Sequence, residues 1–330
     1  MFNLGRENTG LIAKWWRNVD KQILSLIILL FFLGLFFSFS STSSIVADKL
    51  DKETYFFFLK HLIFVFISLF LLLTISIQDK NKIIKLLPYF FFTSIIFLLL
   101  VPFVGIEVKG SKRWLDLLFI PKFQPVELVK PLFVLYVAKI IILNKKMNIN
   151  NRYLLSFLIL FLISILLINQ PDFGQTILLI ASWVIMIFVS GFNIFFLIIL
   201  GLIAILTIFL LIYLFPTKFG YIFLRIQNFL DPSVGDNFQT QKALDAIKQG
   251  GLIGRGMGEG ILKNRVPEAH TDYIVAVISE EFGALFVLFI VILFLTLTYK
   301  VLNKVFFEKD EFLKLALVGL ISILLIQTFI

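Results

Sequence analysis

The chain has 330 residues, 59% of them hydrophobic and 41 of them phenylalanine, against 15% charged residues and a formal net charge of +9. A soluble domain must keep a wet surface and cannot be built from this composition, so an integral membrane protein is implied and no nucleic-acid partner is expected. The chain has no cysteine, which excludes disulfides and thiolate chemistry.

Nine apolar runs follow one another at 22–39, 55–76, 87–104, 126–143, 153–168, 176–189, 194–214, 273–299 and 312–330. Most approach the roughly 20 residues that a helix needs to cross a bilayer. They lack the alternation of barrel strands. The fold class expected is therefore an all-α polytopic membrane protein with about nine transmembrane helices, as one domain over residues 1–330. The first run is preceded by Arg17 and Lys21 and followed by small residues, as a signal peptide would be. Its apolar core exceeds that of a cleaved leader and further spans follow, so it reads as an uncleaved anchor.

Lysine and arginine in the short loops set the orientation. Arg6, Lys14, Arg17 and Lys21, then Lys80, Lys82 and Lys85, then Lys145, Lys146 and Arg152, fall on one side if every run crosses. Lys300, Lys304, Lys309 and Lys314 agree with them. That side is expected to be the cytoplasm, with residues 1–21 as a cytoplasmic N-terminal segment. The opposite side receives 40–54, 105–125, 169–175 and a large loop, 216–271.

Two outer loops carry cations against that rule. In the long one, acids nearly balance them. In the shorter one, Lys112-Arg113-Trp114 is compact, and an arginine fork beside an aromatic ring suits a phosphate and a sugar. The loop leads through Gln124 and Pro125 into the fourth run, where Glu127 and Lys130 sit i,i+3 on one helix face. A buried ion pair and a lipid head-group site are both open there. Asp172, in the turn after the fifth run, is placed to cap the next helix.

Between 250 and 260 six glycines crowd together. No strand precedes them and no phosphate-loop lysine follows, so nucleotide readings are weak. Glycines there let backbone bend or come close to a ligand. Asp272 follows His270 at the start of the eighth run, where a carboxylate is stabilised by a helix N-terminus but is costly against hydrocarbon. On a continuous helix Ser279 and Gly283 return to its face, Glu281 points nearly opposite, and Glu280 lies between. The glutamates then either pack against a neighbouring helix or serve as neighbours around Asp272, and His270 is a surface residue, an orienting group or a proton partner.

Taken together, several segments resemble the SEDS family of bacterial envelope proteins, most of all its division branch, FtsW. The carriers are Gly110-Ser111-Lys112-Arg113-Trp114, Gln124-Pro125-Val126-Glu127 with Lys130, Gln170-Pro171-Asp172-Phe173-Gly174, Phe229-Leu230-Asp231-Pro232, the glycine loop, and Pro267-Glu268-Ala269-His270-Thr271-Asp272 through Glu280-Glu281-Phe282-Gly283. The elongation branch, RodA, shares nearly all of them. The resemblance implies a peptidoglycan glycosyltransferase that polymerises lipid II at the outer face of the bacterial inner membrane and releases undecaprenyl pyrophosphate. It implies Asp272 as the catalytic carboxylate, and Lys112, Arg113 and Lys130 around the pyrophosphate, with Glu127, His270, Glu280 and Glu281 in support. A divalent cation, Mg2+ or Mn2+, suits the leaving diphosphate, its ligands unassigned. The implied partners are a class B penicillin-binding transpeptidase and other membrane proteins of the division machinery, at the septum.

Family members continue past the ninth helix into a periplasmic stretch and a tenth helix, so a truncated sequence is expected here. Elongation polymerase, precursor flippase and inert scaffold are the competing readings. The ionisable residues gather at the outer face rather than along a path across the membrane, which favours surface chemistry over transport.

Overall fold

The computed structural model describes residues 10–41, 56–108, 111–117, 120–214, 238–260 and 273–329, with positions 216, 220 and 227. The apolar runs fold as helices: α2 (Lys21–Ser41), α3 (Phe56–Ile77), α4 (Lys80–Val104), α5 (Pro125–Ala138), α6 (Ile149–Asn169), α7 (Phe173–Val189), α8 (Ile194–Leu214), α10 (Ile274–Phe282), α11 (Ala284–Phe307) and α12 (Glu311–Phe329). A short helix, α1 (Leu11–Asn18), precedes them, and α9 (Phe238–Gly250) lies between α8 and α10. Among the described residues seven helices are long and apolar enough to cross a membrane: α2, α3, α4, α6, α8, α11 and α12. Helix α7 is apolar but has only 17 residues, while α5 gains reach by running on into a π-helical turn, Lys139–Leu143. Large side chains such as Phe66, Phe70, Phe195 and Phe209 stand exposed. Hydrocarbon, unlike water, accepts them without penalty.

Two departures from the linear pattern matter. The outer segment between α4 and α5 folds as an antiparallel three-stranded sheet in the order β1 (Ile106–Val108), β2 (Ser111–Leu117), β3 (Ile120–Phe123). The eighth apolar run, expected as one helix over 273–299, breaks at Gly283, whose φ of 85° lies in the left-handed region. A Cβ there would overlap the carbonyl of Leu252, so only glycine fits. The 24-residue α11 is long enough to cross on its own, and α10 is a separate nine-residue piece.

The contacts divide the chain into two compact units, Met1–Ile77 with Ile203–Leu297, and Gln78–Leu202 with Thr298–Ile330.

In the first unit α1 is tied to α3 by a hydrogen bond from Trp15 Nε1 to Ser76 Oγ of 2.7 Å. Helix α9 packs its small face, Ala243 and Ala246, on Ala276 and Val277 of α10. Phe37 of α2 meets Phe282 and Phe286 edge to face, both at 5.5 Å.

In the second unit α5 lies at the centre. Val126, Val129, Phe133, Val134, Val137 and Ala138 are buried at i,i+3 and i,i+4 spacings, against α4, α6, α7 and α12. Phe91 stacks on Tyr136 at 4.4 Å. Helix α12 comes close because Gly319 has no side chain: a Cβ there would press into Val134 and Met186. Ser322 donates to Ser182 at 3.0 Å across the same contact. Small residues and serine bonds of this kind are how helices associate where water supplies no driving force.

The bonds at the helix ends show which loops share a face of this unit. Lys80 at the start of α4 pairs with Asp310 ahead of α12, and Lys139 donates to the Ile84 carbonyl. At the far end, Arg113 reaches the turn after α6, Glu127 meets Gln175 at the start of α7, and Lys130 meets Gln327 near the end of α12. Within this unit α4, α6 and α12 therefore run one way and α5 and α7 the other.

Candidate functional site

A polar cluster stands at that far end of the second unit, and each of its members is placed by a local device. The period of two along β2 turns Lys112, Trp114 and Asp116 to an exposed face and Leu115 inward, while Arg113 is half-buried. The Lys112-Arg113-Trp114 cluster expected from the sequence is therefore divided between the two faces of the sheet. Lys112 and Trp114 share one face without the arginine. Arg113 instead reaches the α6–α7 turn, where Nε donates to the Gln170 carbonyl at 3.1 Å and Nη2 to the Pro171 carbonyl at 2.5 Å. These bonds use two of its five N–H donors.

The turn itself is pinned from below by Gln170, whose Nε2 donates to the Leu98 carbonyl at 3.1 Å. Asp172 follows at the N-cap position of α7, as the sequence predicts, and the Gln175 N–H bonds to its carboxylate. Its Oδ2 also accepts from Gln124 Nε2 at 2.8 Å, joining this turn to the segment that opens α5. Asp172 is 6% exposed, and burial raises its pKa above the ordinary carboxylate value, opposed by the Arg113 guanidinium.

Pro125 opens α5, which brings Glu127 and Lys130 onto one face as the spacing predicts. Lys130 Nζ lies 2.7 Å from Glu127 Oε2 and donates to Gln327 Oε1 at 3.0 Å. The pair is lopsided. Lys130 is 1% exposed, whereas the Glu127 side chain is 46% exposed. An ammonium that far from water needs both acceptors. Glu127 Oε1 also accepts from Gln175 Nε2 at 3.3 Å, and the Gln175 amide oxygen is buried without a partner. The two readings left open by the sequence, ion pair and head-group site, thus begin from an ion pair whose cation lies beneath its partners.

A second arrangement occupies the first unit. After α9 the chain turns back at Gly251, Gly254, Gly256 and Gly258, all with positive φ. The loop lies on the C-terminal end of α10: Arg255 N–H donates to the Glu280 carbonyl and Gly256 N–H to that of Glu281, both at 3.0 Å. Ala284 N–H, opening α11, donates back to the Gly251 carbonyl at 2.9 Å. A Cβ at Gly250 would overlap the Ser279 carbonyl, and one at Gly254 that of Glu281. What the glycines approach closely is therefore backbone. Beneath them Glu280 and Glu281 are 0% and 1% exposed, and Ser40 at the end of α2 donates to Glu281. Ser279, Glu280 and Glu281, which point in three directions from one helix, are all buried.

Asp272 and His270 lie outside the described residues. Tyr273 occupies the N-cap of α10, so Asp272 immediately precedes that cap. Gln327 and Gln175, absent from the sequence reading, are the further members of the cluster. The only signal for either was a polar residue inside or beside an apolar run.

A family model described as "Cell cycle protein", of the FtsW, RodA and SpoVE type, matches residues 20–330. The chain is 31% identical over 316 residues to "Probable peptidoglycan glycosyltransferase FtsW" of Caulobacter vibrioides, covering 96% of this chain and 80% of that protein. It is 32% identical to the protein of the same name from Haemophilus influenzae, covering 86% and 72%. Among solved structures, one described as "Structural coordination of polymerization and crosslinking by a peptidoglycan synthase complex" matches with a TM-score of 0.72 at 22% identity, over 93% of this chain and 84% of that one. The rod shape determining protein RodA of Thermus thermophilus matches with a TM-score of 0.67 at 20% identity, over 95% and 84%. The fold is thus that of a polytopic membrane protein of the RodA kind, and the chain belongs to the cell cycle protein family that includes FtsW, RodA and SpoVE.

Proposed function

We propose that this chain is a peptidoglycan glycosyltransferase of the division branch, polymerising lipid II at the outer face of the bacterial inner membrane. The observation that carries the reading is the likeness to proteins named peptidoglycan glycosyltransferase FtsW over 96% of the chain. The polar cluster supports it, because Arg113 and Lys130 are cations held at the outer end of an apolar bundle.

In this reading the carboxylate of Asp272 takes the proton from the C4 hydroxyl of the acceptor sugar. The oxygen so freed attacks the anomeric carbon of the donor. The bond from that carbon to the diphosphate oxygen breaks, and undecaprenyl pyrophosphate leaves with the bonding electrons. Arg113 and Lys130 stabilise the charge that grows on the diphosphate, with Lys112 on the exposed face of β2 taking the outer part of the head group. Among the described residues no three His, Asp or Glu side chains gather into a metal cage. Mg2+ characteristically takes one or two carboxylates together with substrate phosphates, so a divalent cation would accompany the diphosphate and offset its charge. The N-terminus faces the cytoplasm, the site of action is the septum, and the partner is a class B penicillin-binding transpeptidase.

The test is polymerisation by the purified protein with lipid II, Mg2+ or Mn2+, and the transpeptidase. Glycan strands are expected from the parent chain and none from Asp272→Ala at equal expression. Polymer made by the Ala variant removes the assigned base. Precursor flipping that survives the substitution, without polymer from the parent, favours a transporter.

A further inference from the structure

The Glu127–Lys130 pair is enclosed unevenly. Lys130 is almost wholly buried, and the two groups above it, Glu127 on its own helix and Gln327 from α12, are both exposed. An anion that reaches the ammonium must displace one of them. These two acceptors respond differently to an approaching anion. A carboxylate is repelled by a diphosphate, whereas a neutral amide is not. If Glu127 yields, the ammonium still needs a fixed acceptor, or it withdraws along its flexible four-carbon stem.

We infer that Gln327 is a positioning residue: it holds the Lys130 ammonium at the outer end of the bundle while an anionic head group takes the place of Glu127. The inference rests on the proposed role of Lys130 at a diphosphate. Helix α12 is built for the task. Gly319 lets it lie against Val134 and Met186, and the Ser322–Ser182 bond fixes its rotation one turn later. Gln327 stands eight residues after Gly319, a little over two turns on and about 80° around the helix from it, so the packing that places Gly319 also fixes Gln327. This brings together two side chains that lie 197 residues apart in the chain.

The experiment uses the whole chain in nanodiscs and the binding of undecaprenyl pyrophosphate, a measurement independent of catalysis. Gln327→Met keeps length and volume but removes the acceptor, so binding is expected to weaken about tenfold, with a fall in Tm because the buried ammonium keeps only one of its two acceptors. Lys130→Met is expected to weaken binding at least as much. The double variant should bind no worse than Lys130→Met alone, because both substitutions remove one interaction route. Wild-type affinity in Gln327→Met, or additive losses in the double variant, overturns the inference. Wild-type affinity in Lys130→Met removes the underlying reading of the site as well, so the two failures are told apart. Should Gln327→Met not fold, Gln327→Glu serves. It keeps an oxygen acceptor but adds negative charge, so the fold should persist while diphosphate affinity drops more than tenfold. Unchanged affinity in that variant likewise overturns the inference.

Discussion

The polar cluster of the second unit and the glycine loop of the first both fasten a loop to a helix end, but by opposite means. Around Glu127 and Asp172 the contacts run side chain to side chain, through Lys130, Gln175 and Gln124. Around Glu280 and Glu281 the helix end is gripped by backbone, through N–H groups of residues 255 and 256 that arrive only because Gly254 has no Cβ. The first arrangement can rearrange by rotamer changes, as ligand exchange demands. The second cannot move without breaking main-chain hydrogen bonds, which makes it a rigid support for the C-terminal end of α10.

The largest effect expected from this contrast is steric. Gly254→Ala combines a φ of 85° with overlap against the Glu281 carbonyl and should lower stability by about 3 kcal/mol or more, seen as loss of a folded, monodisperse protein. Gly258→Ala, with φ 84° but open space around it, isolates the backbone strain at about 1–2 kcal/mol. Equal losses at the two positions would show that close approach is not what the loop needs.

A smaller effect tests the lopsided pair. Glu127→Gln leaves a buried ammonium short of its counter-ion and should destabilise by about 2 kcal/mol, reduced from the fully buried case because Glu127 is half-exposed. Lys130→Met leaves only an accessible carboxylate and should change Tm little. The reverse order in thermal melts would show that Lys130 is wetter than its burial implies.

The smallest effects are in pH dependence, and they have opposite signs. Asp172 has its pKa raised by burial, so the folded state binds its proton more tightly. Its contribution is full below the ordinary carboxylate value and is lost as pH rises through the raised one. Asp310 has its pKa lowered by the hydrogen bond from Lys80, so its contribution is present above the ordinary value and lost as pH falls through the lowered one. Melting curves of Asp172→Asn and Asp310→Asn against pH should diverge from the parent at opposite ends of the acid range. The Asp310 difference stays under about 1 kcal/mol and fades in salt, because that pair is exposed.

Much of this molecule was legible from local pattern. Apolar runs became helices, the i,i+3 spacing put Glu127 beside Lys130, and the turn around Asp172 fell between two helices as expected. Three features escaped that reading. The sheet over 106–123 has strands too short and too charged to stand out, although Lys112 and Trp114 alternate with Arg113 and Leu115. Gly283 looked like one more residue of an apolar helix, because its break depends on the Leu252 carbonyl beside it. The bond from Gln124 to Asp172 could not be seen because its donor lies 48 residues earlier.

By itself the sequence determined that the chain lives in a bilayer and where most of its helices lie. Transfer of side chains into hydrocarbon is local and additive along the chain, so each run declares itself without its neighbours. Only the tertiary structure decided that Lys130 lies beneath Glu127 and Gln327, that Arg113 turns away from Lys112 and Trp114, and that the glycines receive a helix end. Those outcomes depend on hydrogen bonds between groups far apart in the chain, whose partners exist only once helices have been brought within reach.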